Sequence, residues 1–330
     1  MAIINRARNV DAFCGFGKEN AWGTAVAAAY YAPLLGQSLS HARGVSRALP
    51  GMGLRHTSLY LRPPVDPNSG GWSAEIWQDE FAPLMAYVMG ADSVAAGSAI
   101  NTHTISKGAT IPSVTVRKGV DFEEHIYTGF KANTLTVTVP GAGAIPYYDI
   151  SGVSKSHTEN ETPGTPSFTT QQVFAGHNIT TYMAASSTAR ASVSTLYFPT
   201  SLTMSINNNI IAPKVPMGQS TIQEEQLEGN LLVTGTLTFE TFDNSSNNTE
   251  DLFEDYKNGT AKALRISFSG ANSRNFESYF PNILITNSVP NSNGRIGPIG
   301  ITFDWMAFYD NTILADAQFI FQDAEGSAYV

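Results

Sequence analysis

The sequence predicts a mainly β chain built as two tandem β-sandwich units, each with a short flanking α-helix. Three observations lead there. The first is an internal repetition. Trp72-Ser73-Ala74-Glu75-Ile76-Trp77 runs into an apolar helical stretch at 81–89, and Thr236-Leu237-Thr238-Phe239-Glu240-Thr241-Phe242 runs into a second at 252–256. Glu75 and Glu240 stand 165 positions apart; Ser38-Leu39 and Ser201-Leu202 stand 163 apart. Gly129 and Gly297 stand 168 apart, the same offset that sets Thr134-Leu135 on Thr302-Phe303. A drift of a few residues is what loop insertions produce, and a duplicated unit implies pseudo-symmetry and assembly. The second observation is strict alternation, as in Thr134-Leu135-Thr136-Val137-Thr138-Val139, the signature of a half-buried strand. The third is composition: only 14% of residues are charged, with 28 glycines and 17 prolines. Such a mixture suits many strands joined by turns.

In chain order, residues 1–36 read as an N-terminal arm, with Cys14 a free thiol in a mobile segment. Its glycines and aromatics offer little core, so it is expected to order against a neighbour. The first unit covers 37–157. Pro63-Pro64 and Asp66-Pro67-Asn68-Ser69-Gly70-Gly71 make 47–71 a long loop or hairpin. Strands follow at 113–116 and 134–139. Thr, Pro and Gly at 158–167 mark a linker. The second unit, 168–330, opens with a strand at 202–206. A second long loop at 207–230 carries Pro213, Pro216, Gly218 and Gly229. Strands are then expected at 231–242, 263–268, 282–286, 301–309 and 318–322, with the helix after the first of them.

The net charge is −9. Residues 1–165 hold 12 Lys/Arg against 13 Asp/Glu, and residues 166–330 hold 7 against 15. An acidic chain argues against a DNA-gripping protein, because affinity for nucleic acid comes largely from neutralised phosphates. It is compatible with a surface past which DNA slides. One cysteine permits no intrachain disulfide. The N-terminal residues lack a basic-then-apolar signal-peptide pattern, so a cytoplasmic site of synthesis and assembly is expected.

Tempting motifs have plainer readings. Residues 243–254 place oxygen-bearing side chains at calcium-loop spacing, but Asn248 stands where glycine is needed and a strand precedes. A strand-to-helix turn, with Asn248 or Thr249 capping the helix, is expected instead. The six histidines, His41, His56, His103, His125, His157 and His177, show no ligand spacing, and no metal or other cofactor is expected. No Gly-x-Ser-x-Gly elbow, P-loop or dinucleotide fingerprint is present, so the chain is expected not to be an enzyme.

Gly17-Lys18-Glu19-Asn20-Ala21-Trp22-Gly23-Thr24, the unit at 72–89, and Tyr127-Thr128-Gly129-Phe130-Lys131 before an alternating strand carry a family likeness. In this order they resemble the major tail tube proteins of long non-contractile-tailed bacteriophages. Asn20 replaces the more usual serine. The resemblance covers nearly the whole chain. It implies two packed antiparallel sheets with a flanking helix, inner sheets joined between neighbours around a lumen, and a long loop reaching the next ring. Single-domain members form hexameric rings, so a two-domain chain is expected to form trimeric, pseudo-sixfold rings stacked head to tail. The implied partners are DNA and tape measure protein in the lumen, with tail-tip and tail-terminator proteins at the ends. The implied place is the virion tail.

A lumen should repel phosphate. On 234–240, Thr234, Thr236, Thr238 and Glu240 share one face and Leu237 and Phe239 the other, which makes Glu240 a lumen-lining candidate. Glu75, by the repeat, and Asp304, by alternation with Phe303 and Trp305, are the others. The long loops supply inter-ring candidates: Arg47 and Arg55 on the first, Glu224, Glu225 and Glu228 on the second. The rival readings are another β-sandwich virion protein, of the capsid or an accessory part of the tail, and a β-rich carbohydrate-binding module or secreted enzyme.

Overall fold

A computed structural model describes residues 12–330 except 33, 41–45, 48–59, 62–67, 121–122, 169–172, 218, 220, 244–248 and 292–298. Strands β1 (Ala12–Lys18), β2 (Tyr30–Ala32), β3 (Leu34–Gln37), β4 (Ser46–Arg47), β5 (Tyr60–Leu61) and β6 (Asn68–Glu75) precede helix α1 (Gln78–Met89). Then come β7 (Gly90–Ala95), β8 (Asn101–Lys107), β9 (Val114–Val120), β10 (Glu123–Val139), β11 (Tyr147–Ser154) and β12 (Ser156–Glu161). Strands β13 (Ile179–Ala185), β14 (Thr195–Tyr197), β15 (Ser201–Asn207) and β16 (Leu232–Phe239) precede helix α2 (Thr249–Asn258). Strands β17 (Lys262–Phe268), β18 (Phe276–Asn291), β19 (Gly300–Ala307) and β20 (Gln318–Asp323) complete the chain. The fold is mainly β, as the alternation predicts.

Two long strands organise the pairing. The first half of β10 lies between β9 and β12, and its second half between β11 and β15. The first half of β18 lies between β17 and β20, and its second half pairs with β19. One open antiparallel sheet therefore runs β3-β6-β11-β10-β15-β16-β19-β18. Among the described residues nothing pairs β3 with β18, so both remain edges. Outer strands run β2-β1-β9-β10-β12 on one side and β14-β13-β17-β18-β20-β8-β7 on the other.

The pairing order of β1, β2, β3, β6, β9, β10, β11 and β12 recurs in β13 to β20. The irregularities recur too. Register shifts interrupt β10–β11 between Ala132 and Thr134, and β18–β19 between Ile285 and Asn287, each 153 residues on. The shift in β9–β10 between Tyr127 and Phe130 has its counterpart at Leu264/Phe280 and Lys262/Ile283 in β17–β18. Bulges bend strands, which is how one strand can serve two sheets.

The sequence alignment needs correction in two places. It set Ser38 on Ser201, whereas the pairings of β3 with β6 and of β15 with β16 match Gly36 to Ser201. It also set Thr134 on Thr302, whereas the pairings match β10 to β18 and so Thr134 to Asn287. Gly297 lies outside the described residues. The hairpin β7–β8 has no counterpart after α2 and pairs with β20.

Residues 12–37 are not a separate arm. Strand β1 pairs along its length with β9, and Cys14 is fully buried. Burial pushes the Cys14 thiol up, leaving it protonated and inert. Ala12-Phe13-Cys14-Gly15-Phe16-Gly17 holds two glycines, and a Cβ on either would meet tight contacts in the sheet. The linker likewise starts late, since Thr158–Glu161 belong to β12.

One continuous core lies under both halves. Helix α1 is buried on nearly every side from Glu80 onward, and Phe81 touches Tyr148, Phe276 and Phe321. It ends on Gly90, at φ 90°, where a left-handed residue suits glycine. Helix α2 is amphipathic, burying Leu252 and packing Phe253 and Tyr256 on the core. Its first residue, Thr249, accepts a bond from Asp243 N at 2.9 Å. Asn248, with residues 244–247 of the calcium-loop-like segment, lies outside the described residues.

Candidate functional site

The open face of the eight-stranded sheet is the candidate site. Alternation sends Leu135, Val137, Leu202, Met204, Ile206, Leu237, Phe303 and Trp305 into the core. The other face receives hydroxyls. One cross-sheet row reads Glu75, Tyr147, Thr138, Thr203, Thr236, Asp304, Asn287. The next reads Ser73, Asp149, Thr136, Ser205, Thr234, Met306. Neighbouring hydroxyls bond across strands: Thr203 to Thr236 at 2.8 Å, Thr136 to Ser205 at 3.1 Å and Thr134 to Ser151 at 2.5 Å. Cross-strand pairs of this kind hold a sheet face in register.

Charge on this face has one sign. Glu75 closes one end of its row, and Trp77 donates its indole N–H to it at 3.2 Å. Asp304 accepts from Asn287 Nδ2 at 2.9 Å. Asp149 is exposed beside Thr136, and desolvation holds its carboxyl above the usual range. Among the described residues in these rows there is no lysine or arginine. Asp149 was missed in the sequence, although Tyr148 and Ile150 point inward around it and reveal its face. Glu240 continues the parity of Thr236 and Thr238 but lies one residue beyond β16, exposed.

The second loop behaves differently from the first. Strands β4 and β5 pair at Ser46–Leu61 and Arg47–Tyr60, so the first long segment is a hairpin at its stem. Arg55 and most of that hairpin lie outside the described residues, as does the Arg47 side chain. The second loop folds back over the first half of the chain. Lys131, 2% exposed, meets Glu225 at 2.8 Å and Glu228 at 2.6 Å and donates to Gln226 O at 3.2 Å. A buried ammonium needs such partners. Burial alone would raise Glu228, but Lys131 and the Ile111 N–H hold its carboxyl below the usual range. Gln226 accepts from Trp22 Nε1 at 3.0 Å and donates to Gly129 O and Val153 O. Glu224 and Met217 remain exposed.

This junction unites the motifs noted in the sequence. Glu19, 5% exposed, accepts four bonds: Gly23 N at 2.7 Å, and Ser113 Oγ, Thr115 Oγ1 and Gly129 N each at 2.8 Å. Gly129 has φ 63°, and a Cβ there would meet Lys155 at 2.7 Å and Trp22 at 2.9 Å. Lys155 sits 4.1 Å over the Trp22 ring. A second buried cluster holds the C-terminal residues. His103 contacts Asp92 Oδ2 at 2.8 Å, Asp323 Oδ1 at 3.2 Å and Glu325 O at 3.0 Å, and stacks on Tyr329. Burial would lower its pKa, but bonds to Asp323 and Asp92 raise it to about 10.

A family model described as phage tail tube protein matches residues 10–307. No curated protein matches the chain significantly.

Proposed function

The chain belongs to the phage tail tube protein family, a structural family of the virion tail, and on that premise we propose that it forms trimeric, pseudo-sixfold rings stacked around a DNA-conducting lumen. We infer that residues 12–161 and 173–330 are duplicated tube units sharing one core. The observation that carries the reading is the junction of β10 with β15, where one half of the chain passes its sheet to the other. Six residue pairs span it, from Thr134–Asn207 to Val139–Leu202.

The free edges repeat that junction's two sides. Strand β18 matches β10, 153 residues on, and the β3 strand matches β15, 165 residues on. Joining β18 of one copy to β3 of the next therefore places Val289 opposite Ser40 and Asn291 opposite Ser38. Three copies give 24 strands, a wall about 37 Å across or wider with tilt at ~4.8 Å per strand. Closure removes both exposed edges, which are otherwise an aggregation hazard. Ring-on-ring contact is heterologous and does not close, so it makes a filament.

The hydroxyl face then lines the lumen, with Glu75, Asp149 and Asp304 on it and Glu240 at its rim. Carboxylates without cations repel phosphate over roughly 8–10 Å. The first hairpin, with Arg47 and Arg55, and the second loop near Met217 and Glu224 reach the next ring; Glu225 and Glu228 serve the loop's own anchoring. Tape measure protein and DNA occupy the lumen, tip and terminator proteins cap the tube, and assembly takes place in the host cytoplasm.

The test is crosslinking of Ser40→Cys/Val289→Cys in assembled tubes. Antiparallel pairs lie ~4.5–5.5 Å apart at Cα, within disulfide reach, and buried Cys14 stays silent. A covalent ladder ending at three chains is expected. A ladder to six would replace the trimer by a hexamer, and no ladder would overturn the register.

A further inference from the structure

We propose that His125, His157 and Glu159 form a binding site for a divalent transition metal of the zinc type, on the outer strands and away from the open face. Each residue directs one donor atom to within 4.8 Å of the others. His125 Nδ1 and His157 Nε2 stand 3.0 Å apart, and their rings lie nearly parallel. Two nitrogens bound to one tetrahedral zinc ion are separated by about 3.3 Å. A small side-chain rotation reaches that spacing. Imidazole with one carboxylate selects zinc-like ions over calcium or magnesium, which prefer all-oxygen sites.

The backbone is built for this meeting. His125 and Glu123 alternate on β10, and His157 and Glu159 alternate on β12. Between Glu124–Glu161 and Ile126–Thr158 the register slips, so β12 carries one extra residue there. Bulges of this kind re-aim side chains and gather at sites. The matching pair β18–β20 keeps an unbroken register from Phe276–Phe321 to Tyr279–Gln318. Its residues there, such as Ser278 and Phe319, include no comparable donor set. The slip and the ligands therefore occur together, in one half of the chain only.

The surroundings fit as well. Glu123 Oε1 lies 3.6 Å from His125 Nε2, the nitrogen turned away from His157. A carboxylate behind a ligating histidine fixes its tautomer and strengthens it as a donor. The Tyr127 ring lies 4.7 Å from the His157 ring and limits its rotation. Glu159 is exposed, leaving room for water as the fourth ligand. A bound ion would staple β12, an outer edge strand, to β10.

The experiment is a zinc titration of the untagged full chain against a chromophoric chelator, beside a thermal melt with and without zinc. One ion per chain and a higher melting temperature with zinc are expected. His157→Ala should weaken binding by more than the ~10–100-fold typical of losing a partner behind the ligands. Glu159→Gln, at an exposed position, should weaken it while leaving the zinc-free melt unchanged. No stoichiometric zinc, or binding unaltered in both variants, would overturn the site and leave the two histidines sharing a proton.

Discussion

Removing the Glu19 carboxylate should destabilise the chain by about 3 kcal/mol. Its two oxygens accept four bonds, two of them from the backbone donors Gly23 N and Gly129 N. The Ser113 and Thr115 hydroxyls can rotate towards other acceptors, but the backbone donors cannot. Each buried donor left unmade costs about 1–3 kcal/mol. Two give about 2–6, and release of the desolvated carboxylate offsets part of that. Glu19→Gln is the sharper variant. Each oxygen faces one backbone N–H and one hydroxyl, so the amide NH2 opposes a backbone donor in either orientation. About 2 kcal/mol is expected, against about 3 for Glu19→Ala. The assay is urea unfolding of the unassembled chain, followed by tryptophan fluorescence. The midpoint should fall with an unchanged slope. If both variants stay within about 0.5 kcal/mol of the parent, the carboxylate does not organise the turn, and the reading of this junction fails.

Two pH effects follow from the buried charges. His103 is raised from the usual 6.5 to about 10, so its contribution is full below about pH 6.5 and disappears as pH rises through 10. Hydrogen exchange in residues 324–330 should therefore accelerate, beyond its intrinsic pH dependence, between pH 7 and 10, and His103→Gln should remove that excess. Glu228 is held below its usual value beside Lys131, so its contribution is full above the unfolded carboxylate range near pH 4.3 and is lost as pH falls further. Proteolysis within residues 207–230 by an acid-active protease should rise below about pH 4, and Lys131→Met should show the same opening already at pH 7.

Alternation is a local property, so the sequence by itself determined the class of fold and the faces of its strands. Leu135 and Val137 point inward, and Thr236 lies opposite Leu237, because side chains on a strand must alternate. The short helices at 81–89 and 252–256 follow from apolar runs after polar strands, and the Glu75–Glu240 offset of 165 agrees with the register of β6 and β16. Pairing is not local. A 17-residue strand that bends between two sheets looks like any alternating segment, and β10 was therefore set against β19 instead of β18. Only tertiary structure drew β1 into a sheet, since its many small residues read as an arm until β9 lay beside it. The same holds for the polar contacts. His125 and His157 are 32 residues apart, and Lys131 lies 97 from Glu228. Those distances close because a buried charge must find a partner and a bulge must re-aim a side chain, and both requirements are set by neighbours that only the folded chain supplies.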